Sequence, residues 1–200
     1  MRGALSLVLG LTLAAAPLAV ATFTTDAHAS VSIAVTWGGL LRESTAVAVA
    51  TPIESHSTWE GGRIYTYTRV RLDRSVAGEL AGSSEAWVRT MGGVVGKIGQ
   101  IVEGEAVLVP GQSSLLFVRA GPVGAFEVTA RGQGQFPIVA GDANTLPRVV
   151  RSHALGALVA PQVLASSASA RLAADVMHGR PVDDVAREVA ADWSHMHVHP

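Results

Sequence analysis

The chain has 200 residues, 48% of them hydrophobic and 16% charged, with a formal net charge of −1. That is enough apolar material for a core and too little charge for a disordered chain, and no overall field recruits nucleic acid or an acidic membrane surface. The absence of cysteine excludes disulfides, thiol nucleophiles and thiolate metal sites.

The first residues read as an address. Arg2 supplies a positive start, Ala4 to Val20 is an apolar stretch rich in Leu and Ala, and Ala27-His28-Ala29 gives a small-x-small pattern before Ser30. Residues 1–29 are therefore expected to be a signal peptide, cleaved after Ala29, and the mature protein to be periplasmic or secreted. Pro17 and the polar run from Thr22 to Asp26 shorten the apolar stretch below the roughly twenty residues of a membrane span. No second stretch is long enough to span, so no membrane crossing is expected after cleavage.

Residues 30–141 are expected to form a β-barrel domain. Trp37 to Ser44 reads as a short helical turn or loop lying across a sheet, since its two glycines make a poor free helix. Thr45 to Thr51 reads as a strand with Val47 and Val49 on one face and small residues on the other, continuing past Pro52 toward His56. Glu60-Gly61-Gly62 is a turn signal. Arg63 to Val76 then alternates strictly. Ile64, Thr66, Thr68, Val70 and Leu72 point to one side, and Tyr65, Tyr67, Arg69 and Arg71 to the other. A period of two is the signature of a strand with one dry and one wet face.

Glu85 to Met91 alternates again. Gly92, Gly93, Gly96 and Gly99 lack the order of a dinucleotide fingerprint, so they indicate a bend or bulge, and no cofactor is expected. Ile98 to Val102, Ser113 to Arg119, Ala125 to Arg131 and Gln133 to Val139 complete a set of short strands with turns at Pro110-Gly111 and Ala120 to Gly124. The fold class is mainly β: a small antiparallel barrel, OB-like, or a sandwich. The expected interior is Ile64, Val70, Leu72, Val88, Leu116 and Val118.

Residues 142–200 read as an alanine-rich helical extension with a histidine-containing tail. Ala165 to Met177 can be helical, Gly179 would cap it, and Pro181 opens a second helix carrying Val182, Val185, Val189 and Trp193 at helical spacing.

The span from Leu40 to Val139 resembles a class of exported bacterial β-domains. The likeness lies in TAVAVATPIES, IYTYTRVRLDRSVAGEL, the loop MGGVVGKIGQIVEG and the strand VPGQSSLLFVR, in that order. It implies an OB-type barrel similar to that of metalloprotease inhibitors and netrin-like modules, and so a zinc metalloprotease of the matrixin kind as one partner. The chain lacks the N-terminal cysteine by which such inhibitors reach zinc, so the resemblance does not extend to inhibition by that route.

Two groups of residues carry candidate chemistry. Tyr65, Tyr67, Arg69 and Arg71 put two rings and two cations on one strand face, a set able to stack on a sugar or base and to hold a phosphate or carboxylate; cross-strand packing is the structural alternative. His195, His197 and His199 alternate, so an extended chain would project all three to one side where they could share a metal, with His178 completing the set; a solvated tail is the alternative. No catalytic residue is assigned. Ser113-Ser114 and Ser166-Ser167 have no GxSxG around them, and HExxH is absent. The expected function is a non-enzymatic binding module outside the cytoplasm that takes a protein or a polymer. A hydrolase whose groups converge only in the fold, and a structural envelope component, are the rivals.

Overall fold

The computed structural model describes residues 31–80, 84–141, 145–162 and 170–197. The expected signal peptide and His199 lie outside them. The elements in chain order are β1 (Val31–Ile33), α1 (Trp37–Glu43), β2 (Ala46–Glu60), β3 (Arg63–Gly78), β4 (Glu85–Met91), β5 (Gly93–Val95), β6 (Ile98–Gln100), β7 (Ser114–Ala120), β8 (Phe126–Val128), β9 (Gln135–Val139), β10 (Arg148–Val149), β11 (Ala157–Val159), α2 (Ala173–Met177) and α3 (Val182–His197).

The main sheet runs β10-β9-β7-β2-β3-β4-β8, and β8 pairs back onto β7. That last pairing closes β2, β3, β4, β8 and β7 into a barrel, which decides between barrel and sandwich. Its pairings are antiparallel except at the β4–β8 seam, where Val88 and Arg89 run parallel to Phe126 and Glu127. The long hairpin of β2 and β3 turns at Gly61 and Gly62, whose φ values of 56° and 80° suit the twist of a two-residue turn and favour glycine.

Alternation along β2 and β7 builds two cores at once. Ala46, Ala50, Leu116 and Val118 face the barrel interior with Val70, Val88 and Val128. Leu72 packs against this cluster and is half-buried, while Ile64 is buried outside it. Val47, Val49, Leu115 and Phe117 face the other way, into a core shared with Trp37, Leu40 and Leu41 of α1, Met177 of α2, and Val185 and Val189 of α3. Small residues thus fill the narrow interior of β2, and its valines seat the helices.

The helices are pinned by specific bonds. Thr36 caps α1 by accepting from the Gly39 N–H at 3.1 Å. Trp37 Nε1 donates to Asp192 of α3 at 2.6 Å. Arg180, just before α3, pairs with Glu188 at 2.6 Å. The expected helix over Ala165 to Met177 is shorter among the described residues: Leu172 is extended, forms a bridge with Thr36 and stands as the cap before Ala173. Gly179 follows α2 with φ of 78°, and α3 starts after Pro181 as expected.

Candidate functional site

Among the described residues, one wall of the barrel carries no helix. It consists of the outer faces of β4, the first half of β3, Arg63 to Arg71, and the second half of β2, Glu54 to Glu60. Register sets its rows: His56 lies opposite Tyr67, which lies opposite Arg89; Glu54 lies opposite Arg69, which lies opposite Trp87. Tyr65 and Tyr67 are half-buried, and His56 and Trp87 are exposed. The His56 ring stacks on Tyr67 with centroids 5.6 Å apart and planes at 12°, and meets Trp87 edge-on at 5.3 Å. Three rings from three strands therefore make one aromatic group on the surface.

Three cations of this wall, Arg69, Arg71 and Arg89, are already engaged, while Arg63 beside the hairpin turn is exposed. Arg69 contacts Glu54 at 2.9 Å and Glu85 at 2.8 Å. Arg89 contacts Glu60 at 2.7 Å and Glu127 at 2.8 Å, and its guanidinium lies over the Tyr65 ring at 3.4 Å from the centroid. Arg71 pairs with Asp73 at 2.7 Å, and Asp73 also accepts from the Thr51 hydroxyl at 2.5 Å. The Tyr67 hydroxyl and Arg89 both bond the Glu60 carboxylate and hold it below the usual carboxylate range. The same bond to Glu60, with partial burial, pushes the Tyr67 phenol up. Bonds to Glu54 and then Glu85 raise Arg69 further. Burial opposes the charge on Arg89, but its bonds to Glu60 and Glu127 outweigh it, so its pKa is raised too. Arg69 and Arg89, shared among four glutamates, themselves offer little positive potential to a phosphate.

The four wall residues expected from sequence are thus together on one face. Their roles differ: Tyr67 belongs to the aromatic group, whereas Tyr65, Arg69 and Arg71 are held in internal contacts. Sequence reasoning missed His56, Glu60, Trp87 and Arg89. The signal was present, since Trp87 and Arg89 flank Val88 in an alternating strand and His56 and Glu60 share a face of β2. The cross-strand register that joins them was not legible.

Thr66, Thr68 and Thr90 line an open groove of about 510 Å³ bordered by the β5–β6 hairpin and the chain that follows it. The hairpin is held down by the Thr66 hydroxyl donating to the Gly92 carbonyl at 2.7 Å, with Ser57 and Thr66 hydroxyls 2.9 Å apart. Gly93, at φ of 130°, passes so close that a Cβ there would stand 2.2 Å from Thr66 Oγ1. A smaller cavity of about 190 Å³ beside Tyr65 and Arg89 is lined by paired charges, Glu127 with Arg119 at 3.2 Å and Glu105 with Arg131 at 3.1 Å.

His195 and His197 do not have the extended geometry expected of them. His195 and His197 lie within α3, where two residues turn the side chain by about 200° around the axis, so the pair diverges. His197 stacks on Trp193 at 3.9 Å between centroids. His178 is spent elsewhere: its Nδ1 accepts from the Arg151 N–H at 3.1 Å. Among the described residues no group of three or more His, Asp or Glu is placed to hold a metal ion. No helix among them is long and apolar enough to cross a membrane. Comparison with family models, curated proteins and solved structures finds no match to this chain.

Proposed function

We propose that the protein is an exported, non-enzymatic binding module that takes a protein partner on the open wall of its barrel. The observation that carries this reading is the His56–Tyr67–Trp87 group, an aromatic patch displayed on a wall whose counterpart across the barrel is covered by helices. Tyrosine and tryptophan anchor interfaces because they bring large, rigid area at low conformational cost. The internal neutralisation of Arg69 and Arg89 argues for such a partner over a phosphate-rich polymer. The nearly buried carboxylate beside the cavities, Glu105, is paired with Arg131 at 3.1 Å. Export rests on the apolar stretch and the Ala27-His28-Ala29 pattern.

The test places a photo-crosslinking phenylalanine derivative at Trp87 in the full chain, and in parallel at exposed Arg187 on α3. Irradiation of the extracytoplasmic fraction of the producing cells should give discrete protein adducts from position 87 and none from position 187. Identical patterns from both positions would defeat the reading. N-terminal sequencing of the same material should begin at Ser30, and an intact Met1 would remove the export part.

A further inference from the structure

Alternation along β3 sends Tyr65 and Tyr67 to the open wall and Thr66 and Thr68 to the opposite face. Register sets Thr90 across from Thr66 and Val88 across from Thr68, so Thr68 and Thr90 are diagonal neighbours on the floor of the groove of about 510 Å³. The three hydroxyls of that floor are spent unequally. Thr66 donates to the Gly92 carbonyl at 2.7 Å and meets the Ser57 hydroxyl at 2.9 Å. Thr90 reaches only the Thr66 carbonyl, at 3.5 Å, the outer limit of a hydrogen bond. Thr68 is 1% exposed, and among the described residues its hydroxyl has no hydrogen-bond partner. Its Oγ1 is not sealed off, and opens onto the groove that the residue lines. A buried hydroxyl without a partner costs free energy, and valine would fill the same space without that cost.

A further donor faces the same space. The Gln100 Oε1 accepts from the Ile64 N–H at 2.8 Å, which fixes the amide and leaves Nε2 with no acceptor among the described residues. Charge is missing from the groove in any free form. Among the described residues Glu105 is the one ionisable group on its lining, and it is held by Arg131 at 3.1 Å and by the Ala106 N–H at 3.2 Å. The rest of the lining is largely apolar. Ile101 is 91% exposed, Val94 and Val107 are exposed, and Val102 and Leu108 are half-buried. Apolar side chains left this open around a recess mark a surface that something covers.

We propose that this groove binds a small uncharged amphiphile, an aliphatic chain ending in a head that carries hydroxyl or carbonyl groups. The head bonds to the hydroxyls of Thr68 and Thr90 and to the Gln100 amide, and the chain lies along Ile101, Val102, Val107 and Leu108. Each part of that choice has its own observation. The unpartnered Thr68 hydroxyl calls for a polar group, the apolar lining calls for a chain, and the neutralised Glu105 offers no counter-charge to an ionised head. The volume lies within the roughly 300–1,000 Å³ of small-ligand sites. No aromatic ring stands on the lining, so a sugar would find nothing to stack on. The groove lies on the face of β3 opposite the His56–Tyr67–Trp87 group, so this inference stands or falls without the protein-partner reading.

The probe is monooctanoylglycerol, titrated by calorimetry against the full chain below its micelle concentration, with octanoate and glycerol as controls. Monooctanoylglycerol should bind saturably, octanoate about tenfold or more weakly, because its charge loses water without gaining a partner, and glycerol not at all. Thr68→Val keeps the shape of the side chain and removes the hydroxyl. It should weaken monooctanoylglycerol about tenfold while the melting temperature holds or rises, since no internal bond is lost. Thr66→Val is the contrast: it gives up the bond to Gly92 and should lower the melting temperature. Absence of saturable binding, octanoate binding as tightly as monooctanoylglycerol, or unchanged affinity in Thr68→Val would each overturn the proposal. A lowered melting temperature in Thr68→Val would do so too, since the hydroxyl would then already serve the protein's own fold.

Discussion

The two walls of this barrel use the same strand alternation for opposite ends. On the helix-covered wall, the outward residues of β2 and β7 are Val47, Val49, Leu115 and Phe117, all buried under α1, α2 and α3. On the open wall, the outward residues of β2 and β3 are Glu54, His56, Tyr65, Tyr67 and Arg69, tied by ion pairs and ring contacts. β2 belongs to both: its first seven residues are buried, and the four that follow are exposed. Burial of apolar area holds the first wall, while the second is held by charge-assisted bonds that cost desolvation as they form. Stability is thus concentrated on one side, which leaves the other free to carry side chains chosen for something else.

The largest expected effect is on the covered wall. Phe117 has no exposed surface and meets both Trp37 and Phe136 edge-to-face at 6.0 Å. Phe117→Ala should cost about 3–5 kcal/mol in denaturant unfolding, the range for a large aromatic removed from a close-packed site. A cost below about 1 kcal/mol would mean that the helices do not depend on this wall. On the open wall, Arg89→Met should cost less, about 1–3 kcal/mol, since it leaves the Glu60 and Glu127 carboxylates without their shared donor. If Arg89→Met proves the more damaging of the two, the assignment of stability to the helix side is reversed.

Much of the fold was legible because it rests on local periodicity. The alternation in IYTYTRVRL placed Thr68 and Val70 inside and Tyr67 and Arg69 outside, and the glycine pair before it marked the turn. Closure was not legible, because the β4–β8 seam joins residues far apart in sequence through a strand as short as Phe126–Val128. The histidine tail misled for a related reason. Alternation in HMHVHP suggests an extended chain only if the preceding helix stops, and α3 instead continues to His197 with a stacked Trp193–His197 pair. At the site, residue types on a single strand were visible, but their partners came from β2 and β4. The arginines could therefore be read as free cations when each is bound by carboxylates.

The smallest effect expected separates the two walls by pH. Glu60 lies below its unperturbed value of 4.5 because it accepts from Tyr67 and Arg89, and Tyr67 lies above its unperturbed 10.0 because it donates to Glu60. A carboxylate with a depressed folded-state pKa contributes stability that is present above the unfolded value and is lost as pH falls through the folded one. A phenol with a raised folded-state pKa contributes stability that is present below its unfolded value and is lost as pH rises through the folded one. The parent should therefore exceed Glu60→Gln in melting temperature across the interval from 4.5 to 10.0; the gap should close on the acid side and narrow on the alkaline side, where the Glu60–Arg89 pair survives Tyr67 ionisation. Phe117→Ala should instead lower the melting temperature by an amount that does not follow these two titrations, because no ionisable group is removed. A Glu60→Gln gap that is constant over the whole range would show that the Tyr67–Glu60–Arg89 network adds nothing to the open wall beyond packing.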